Sequence, residues 1–273
     1  MPRPRAPELD LRSVDPALAL SQRRFFDEQL PRGAKAADFS AFKPARYDAA
    51  TIRWGLRAWQ ARTLDEYRSQ VAFTELLLEL SELGCSFDIL TAGVRLVRDE
   101  ARHVEVCRRL TLALGGDGII PGRPSFVRSD PRRPHFERVM RSVMGSLCLG
   151  ETLSAALLAA TLKVTSDPLV RAVLTVLTSD ESFHGQLGWK LLALLWPLAT
   201  PPQRKRLERQ LADDLAFVQQ AAFANCEDDA GWKRNPLGDL KTAERRQVYD
   251  RALAKVRARF TAQGVTLPRP ART

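Results

Sequence analysis

The chain has 273 residues, 45% apolar and 27% charged, which excludes a disordered protein and leaves room for one large domain or two small ones. No apolar run reaches the roughly eighteen residues of a membrane span, so a soluble chain with no membrane partner is expected. A net charge of +10, with basic clusters at 204–209 and 251–260, invites a nucleic-acid reading; no aromatic interleaving accompanies them, so solvated helix faces are preferred.

Residues 1–47 carry scattered Pro and Arg, with apolar knots at Phe25 and Phe26 and around Phe39. They read as an arm packed on the rest of the chain. The basic start MPRPRAPELDLRSVD lacks the apolar block of an export signal, so a cytoplasmic location is expected. From Asp48, a candidate N-cap, apolar residues recur at helical spacing to Leu83, where Gly84 supplies a stop. A second helix is predicted over 87–114, ending at Gly115 and Gly116. The stretch GGDGIIPGRPSFVRSDPRRP (115–134) is too long and too rich in Gly and Pro for a tight hairpin, and reads as a crossover.

A third helix covers 134–165, and Asp167 with Pro168 opens a fourth that runs to Trp196. Two more amphipathic helices follow, near 202–224 and 241–263. No segment alternates like a strand, so the class is all-α. Four helices of about 28 residues, each spanning roughly 42 Å, suit a four-helix bundle with one long crossover. The expected layout is an arm (1–47), a bundle (48–200) and a C-terminal helical extension of the same domain (201–273). Cys85, Cys107, Cys148 and Cys226 form no CxxC pair and fit reduced thiols used as small apolar residues.

Only three histidines occur, and two sit in a repeated pentapeptide: DEARH at 99–103 and DESFH at 180–184. Glu and His three apart on a helix reach one point in space. Acidic residues on the apolar stripes of such a bundle are costly unless something satisfies them. In chain order the candidates are Glu75; Glu100 with His103; Glu151; and Glu181 with His184, one Glu or one Glu-x-x-His per helix. Two divalent ions bring four positive charges that four carboxylates cancel, and each histidine adds a neutral ligand.

This pattern over residues 52–196 resembles the ferritin-like di-iron carboxylate superfamily, with its Glu, Glu-x-x-His, Glu, Glu-x-x-His ligand set and its long connection between the second and third helices. The resemblance implies two iron ions (or a Mn/Fe pair) and O2 as co-substrate. It implies that Asp99 orients His184 and Asp180 orients His103, crosswise. Ser154, one turn after Glu151, sits where desaturases of the superfamily carry a hydroxyl that manages protons; Thr152 and Thr178 are weaker claimants.

The activity so implied is an oxygenase or oxidase that hydroxylates, desaturates or N-oxidises an organic substrate, small or carrier-bound. Electrons would come from a ferredoxin or reductase, since no flavin or nicotinamide fingerprint is present. A homodimer is compatible. A tRNA-modifying di-iron hydroxylase and a ferroxidase or iron-handling protein stand as alternatives. Departures from the pattern narrow the field: there are no CxxC pairs for a rubredoxin domain, Cys107 stands where a radical-bearing Tyr would, and Leu177 stands where arylamine N-oxygenases carry a further His. Gly145, Ser146, Cys148, Gly150, Ser154 and Ala155 are small and would leave space beside the metal pair. Glu79 is the substitute for Glu75 if the register differs, Glu82 a helix-end charge, and His135 a capping or surface residue.

Overall fold

The computed structural model describes residues 38–118, 130–224 and 236–267, with the side chains of 220–224 outside the description. The expected arm up to residue 37, the middle of the crossover and Cys226 lie outside the described residues. Among those described the chain is all helical, with no strand.

Helix α1 (Ala49–Glu82) opens on Asp48, whose side chain accepts the Thr51 amide at 2.7 Å, and stops at Gly84, which adopts φ +76°. Helix α2 (Phe87–Ala113) returns alongside it. The next helix is continuous over His135–Val164 but not regular: α3 (His135–Arg141) widens into a π-helical segment (Ser142–Glu151) before α4 (Thr152–Val164). The helix predicted over 134–165 is thus present, with a π-helical segment inside it. A π turn inserts a residue and rotates the rest of the helix by about 100°, and such segments cluster at functional sites.

Helix α5 (Pro168–Leu195) starts as the sequence suggests, with Asp167 accepting the Val170 amide at 3.0 Å and Pro at its first position. It closes a second hairpin with α4 and lies against the π segment. At Gly188 a Cβ would meet Leu147 Cβ at 2.5 Å and the Leu147 carbonyl carbon at 2.9 Å, so only glycine permits this approach. Helices α6 (Pro201–Ala224) and α7 (Thr242–Ala262) complete the described fold.

The continuous helix His135–Val164 is long and apolar enough, by length and composition alone, to cross a membrane, although Glu151 interrupts its apolar stretch. In the bundle it carries two buried carboxylates: Glu137 accepts from Arg206, and Glu151 faces other helices.

Buried apolar residues form two cores. One gathers Phe73, Leu76, Leu80, Val143, Leu147 and Leu192, and extends onto α6 through Leu207, Leu211 and Leu215 and onto α7 through Val256 and Phe260. The other gathers Trp59, Cys107, Leu110, Leu158, Val173 and Leu177. Trp59 Nε1 donates to the Leu237 carbonyl at 2.7 Å, and Phe39, Phe42 and Tyr47 pack against this second core. In all four bundle helices buried polar residues lie between the two cores: Glu66 on α1, Asp99, Glu100, Arg102 and His103 on α2, Glu151 at the end of the π segment, and Asp180, Glu181 and His184 on α5. A polar layer therefore divides the interior.

Candidate metal centre

The two hairpins set this layer in register. Residues equally far from an antiparallel turn face each other, and Glu151 and Glu181 stand about fifteen residues on either side of Ser166. In the first hairpin the residue that mirrors His103 across Gly84 and Cys85 is Glu66. Two groups of ligand atoms result, each able to hold a metal ion: Glu66, Glu100, His103 and Glu181; and Glu100, Glu151, Glu181 and His184. Within each group the ligand atoms lie within 4.8 Å of one another.

Five of the six residues singled out as ligands, Glu100, His103, Glu151, Glu181 and His184, are brought together. The sixth, Glu75, is not. It is half-buried on the wall of an outer groove with Tyr67, Val71 and Leu78, and Glu66 takes the place expected for it. Nine residues separate the two, so at 100° per residue they lie on opposite sides of α1. Glu79, the substitute, is buried elsewhere and accepts from Arg138 Nε at 2.8 Å. His135 donates through Nε2 to the Glu79 carbonyl at 2.9 Å and plays no part in the cluster.

The geometry distinguishes shared from terminal ligands. His103 directs Nδ1 inward, 3.3 Å from Glu66, 3.7 Å from Glu100 Oε2 and 3.6 Å from Glu181 Oε1. His184 Nδ1 lies 3.0 Å from Glu100 Oε1, 3.5 Å from Glu151 and 3.4 Å from Glu181 Oε2. Glu100 and Glu181 thus each turn one oxygen toward one histidine and the other oxygen toward the second. Glu66 belongs to the His103 side alone and Glu151 to the His184 side alone. The imidazole centroids are 5.6 Å apart.

The outer nitrogens of the histidines face aspartates of the other hairpin. His103 Nε2 donates to Asp180 at 3.1 Å, and His184 Nε2 lies 3.7 Å from Asp99, outside hydrogen-bond length. Sequence reasoning missed the group between them: buried Arg102, whose guanidinium donates to Asp99 at 3.0 Å and also to Asp180. Arg98 and Arg95 add contacts to Asp99 at 2.9 and 3.3 Å from the surface side. Burial of Asp99 acts to raise its pKa, but the His184 ring and these arginines hold its carboxyl well below the usual range.

Fit to cations is argued by the atoms that the cluster leaves unsatisfied. Both Glu100 oxygens, one oxygen each of Glu151 and Glu181, and Nδ1 of both histidines are buried without a hydrogen-bond partner. Such atoms cost about 1–3 kcal/mol each when left unpaired, more if charged. Without metal, protons supply the balance. Burial, joined by the Glu100 and Glu151 charges, raises the pKa of Glu66; burial and Glu151 raise that of Glu181 further. Burial would raise Glu100 as well, but both histidines hold it down, to about 2. Burial opposes charge on His103 and His184, yet the surrounding carboxylates raise both well above the ordinary imidazole value. Two dications would replace these protons.

One side of the cluster opens into a cavity of about 390 Å³ between α1 and α4, lined by Glu66, Glu151, Glu181 and Ser154. Of the small residues expected to make space, Gly150 and Ser154 line it, whereas Gly145 and Ser146 line a separate cavity of about 250 Å³ and Cys148 is packed in the core. Thr152 accepts from Trp189 Nε1 at 3.1 Å and Thr178 bonds its own helix at the Leu174 carbonyl, so neither hydroxyl is aimed at the cluster. Cys107 is fully buried one turn beyond His103, and Leu177 is core.

No family model matches the chain, and no curated protein matches it significantly.

Proposed function

We propose that the protein is a ferritin-like di-iron oxidase or oxygenase that uses O2 to oxidise an organic substrate. The observation that carries this reading is the pair of metal-binding groups sharing Glu100 and Glu181, one residue from each of two hairpins, with one further Glu and one His on each side. Four carboxylates and two neutral imidazoles neutralise two divalent ions, and carboxylate-rich ligation suits iron or manganese over the softer metals that thiolates select. A bound pair of this kind supplies the electrons and Lewis acidity with which dioxygen is activated toward substrate oxidation.

The chain's own residues do the rest. Asp180 fixes which nitrogen of His103 faces inward, Asp99 sets a negative charge beside the outer nitrogen of His184, and Arg102 holds both aspartates ionised. The two cores exclude water from above and below the layer. The cavity reaches Glu66, Glu151 and Glu181 and so admits substrate at one side of the pair, while Ser154 offers a hydroxyl there that can hold or pass a proton at Oγ. Arg95 and Arg98, 47% and 43% exposed over Asp99, present a basic surface beside the His184 contact that suits an acidic electron donor such as a ferredoxin or a reductase domain.

Oxygen uptake tests the reading. Iron-loaded, chemically reduced protein should consume O2 in proportion to its irons and stop until electrons are resupplied. Continuous turnover of excess ferrous iron into a mineral, without need of another reductant, would make it an iron-handling protein instead. The substrate cavity favours the oxidase.

A further inference from the structure

The cavity beside the cluster also indicates the chemistry of what enters it. Its α1 wall is the stripe Ala58, Ala61, Arg62, Asp65, Glu66 and Ser69, spaced at three and four residues along one helical face. Across from it, α4 contributes Leu153, Leu157 and Leu158 with Ser154. One wall is thus small and polar and the other apolar. Charged residues on the wall away from the cluster are mostly committed: Asp65 accepts from Arg68 at 3.0 Å, and Arg245 is held by Asp239. Arg62 differs. Its guanidinium lies over the Trp59 ring, 4.5 Å from the centroid, and Nη1 is buried with no hydrogen-bond partner among the described residues.

A half-buried guanidinium in the lining of a cavity that ends at a metal-binding cluster, with no carboxylate paired to it among the described residues, offers its open edge to an anion in that cavity. The Trp59 face fixes the plane of the fork, so a planar group with two acceptor oxygens fits it best. Arg245 is taken up by Asp239, so one cation is left to match one negative charge, and Asp65, also in the lining, disfavours a dianion. These features favour a carboxylate over a phosphate.

We propose that the cavity takes a small organic monocarboxylate, its carboxylate held by Arg62 and its apolar body lying along Leu153, Leu157 and Leu158. Arg62 lies one turn from Glu66, about 6 Å along α1, so the carbon presented to the cluster is about four to six bonds from the carboxylate. This inference rests on the oxidase reading and names the substrate class of the same site. Arg62 is the residue that sets specificity, and it sorts acids from their neutral analogues.

The test is calorimetric titration of iron-loaded protein with benzoate, phenylacetate, hexanoate and octanoate, each beside its primary amide, with iron content measured on every sample. At least one acid should bind, at least tenfold tighter than its amide. Arg62→Gln should weaken that acid about 10- to 100-fold, the range of a charge-assisted hydrogen bond, while leaving iron content and amide binding unchanged, and Arg62→Lys should restore part of the loss. If Arg62→Gln fails to fold, the acid and amide comparison is made on metal-free protein, where a preference for the acid cannot come from iron and its absence overturns the proposal. Equal affinity for acid and amide, no acid binding, or acid binding indifferent to Arg62→Gln (ligation by iron alone) would each overturn the proposal while the iron count leaves the oxidase reading intact. Tighter binding of inorganic phosphate than of any acid would overturn it too. A chain that takes up no iron removes both.

Discussion

His103 on α2 is held by Asp180 from α5, Nε2 to carboxylate at 3.1 Å, and Arg102, the residue preceding His103, bonds the same aspartate. The mirrored pair, His184 and Asp99, spans 3.7 Å, and Arg102 reaches that aspartate as well. One buried arginine thus ties together the outer supports of both histidines. Removing it leaves two buried carboxylates facing each other without their shared cation. Arg102→Gln and Asp180→Asn should each lower metal affinity about 10- to 100-fold, the usual range for residues that orient a metal-bound histidine. Competition with a chelator of known affinity measures this; unchanged affinity in both variants would reduce the network to packing.

Ligand identity on α1 separates Glu66 from Glu75. Glu66→Ala should bind at least one metal per chain fewer, or bind the pair far more weakly, whereas Glu75→Ala, Glu79→Ala and His135→Ala should load like the wild type. Elemental analysis after anaerobic loading and desalting gives the answer. A normal metal count in Glu66→Ala beside a deficit in Glu75→Ala would reverse the assignment.

Alkaline pH should weaken the contact between the arm and the bundle. Tyr47 donates to Asp167, the N-cap of α5, at 2.7 Å, and burial together with this hydrogen bond pushes the phenol up to about 12. A folded-state pKa above the unfolded value of about 10 means that the contribution is complete below pH 10 and is lost as pH rises toward 12. Tyr47→Phe should cost about 1 kcal/mol at pH 8, and the gap between variant and wild type should shrink above pH 10. Urea unfolding at both pH values measures it; a gap that stays constant with pH would contradict the assignment.

Close approach of α5 to the π segment predicts a steric lesion away from the cluster. Gly188→Ala places a Cβ against Leu147 and the Cys148 amide, backbone that cannot simply rotate away. Overpacking of this kind costs about 1–3 kcal/mol. Thermal unfolding of the metal-free protein should show the loss, and a variant as stable as the wild type would mean that the helices are free to separate there.

Local chemistry makes much of the architecture legible. Asp48, Gly84 and the Asp167–Pro168 pair mark helix ends by capping and by restricted φ, and those ends occur within a residue or two of the expected positions. Glu-x-x-His needs only helical spacing to be recognised. Glu75 misleads because its neighbours Val71, Ala72, Leu78 and Leu83 look like a buried face but are half-buried or exposed; the deep stripe of α1 runs through Trp59, Thr63, Glu66, Phe73, Leu76 and Leu80. Counting outward from the Gly84 turn finds Glu66, since it mirrors His103. Arg102 escapes notice because arginine is seldom buried, although it lies within the repeated pentapeptide itself. The π segment has no residue signature: its two glycines allow a wider turn, but only packing against α5 selects it.

Iron stoichiometry with Mössbauer spectroscopy tests the central claim most directly. Protein loaded anaerobically with ferrous iron-57, freed of excess metal and then oxidised should hold two irons per chain as an antiferromagnetically coupled ferric pair. Less than one bound iron per chain, or isolated uncoupled ferric ions, would leave Glu66, Glu100, Glu151, Glu181, His103 and His184 as a proton-balanced polar layer and contradict the account.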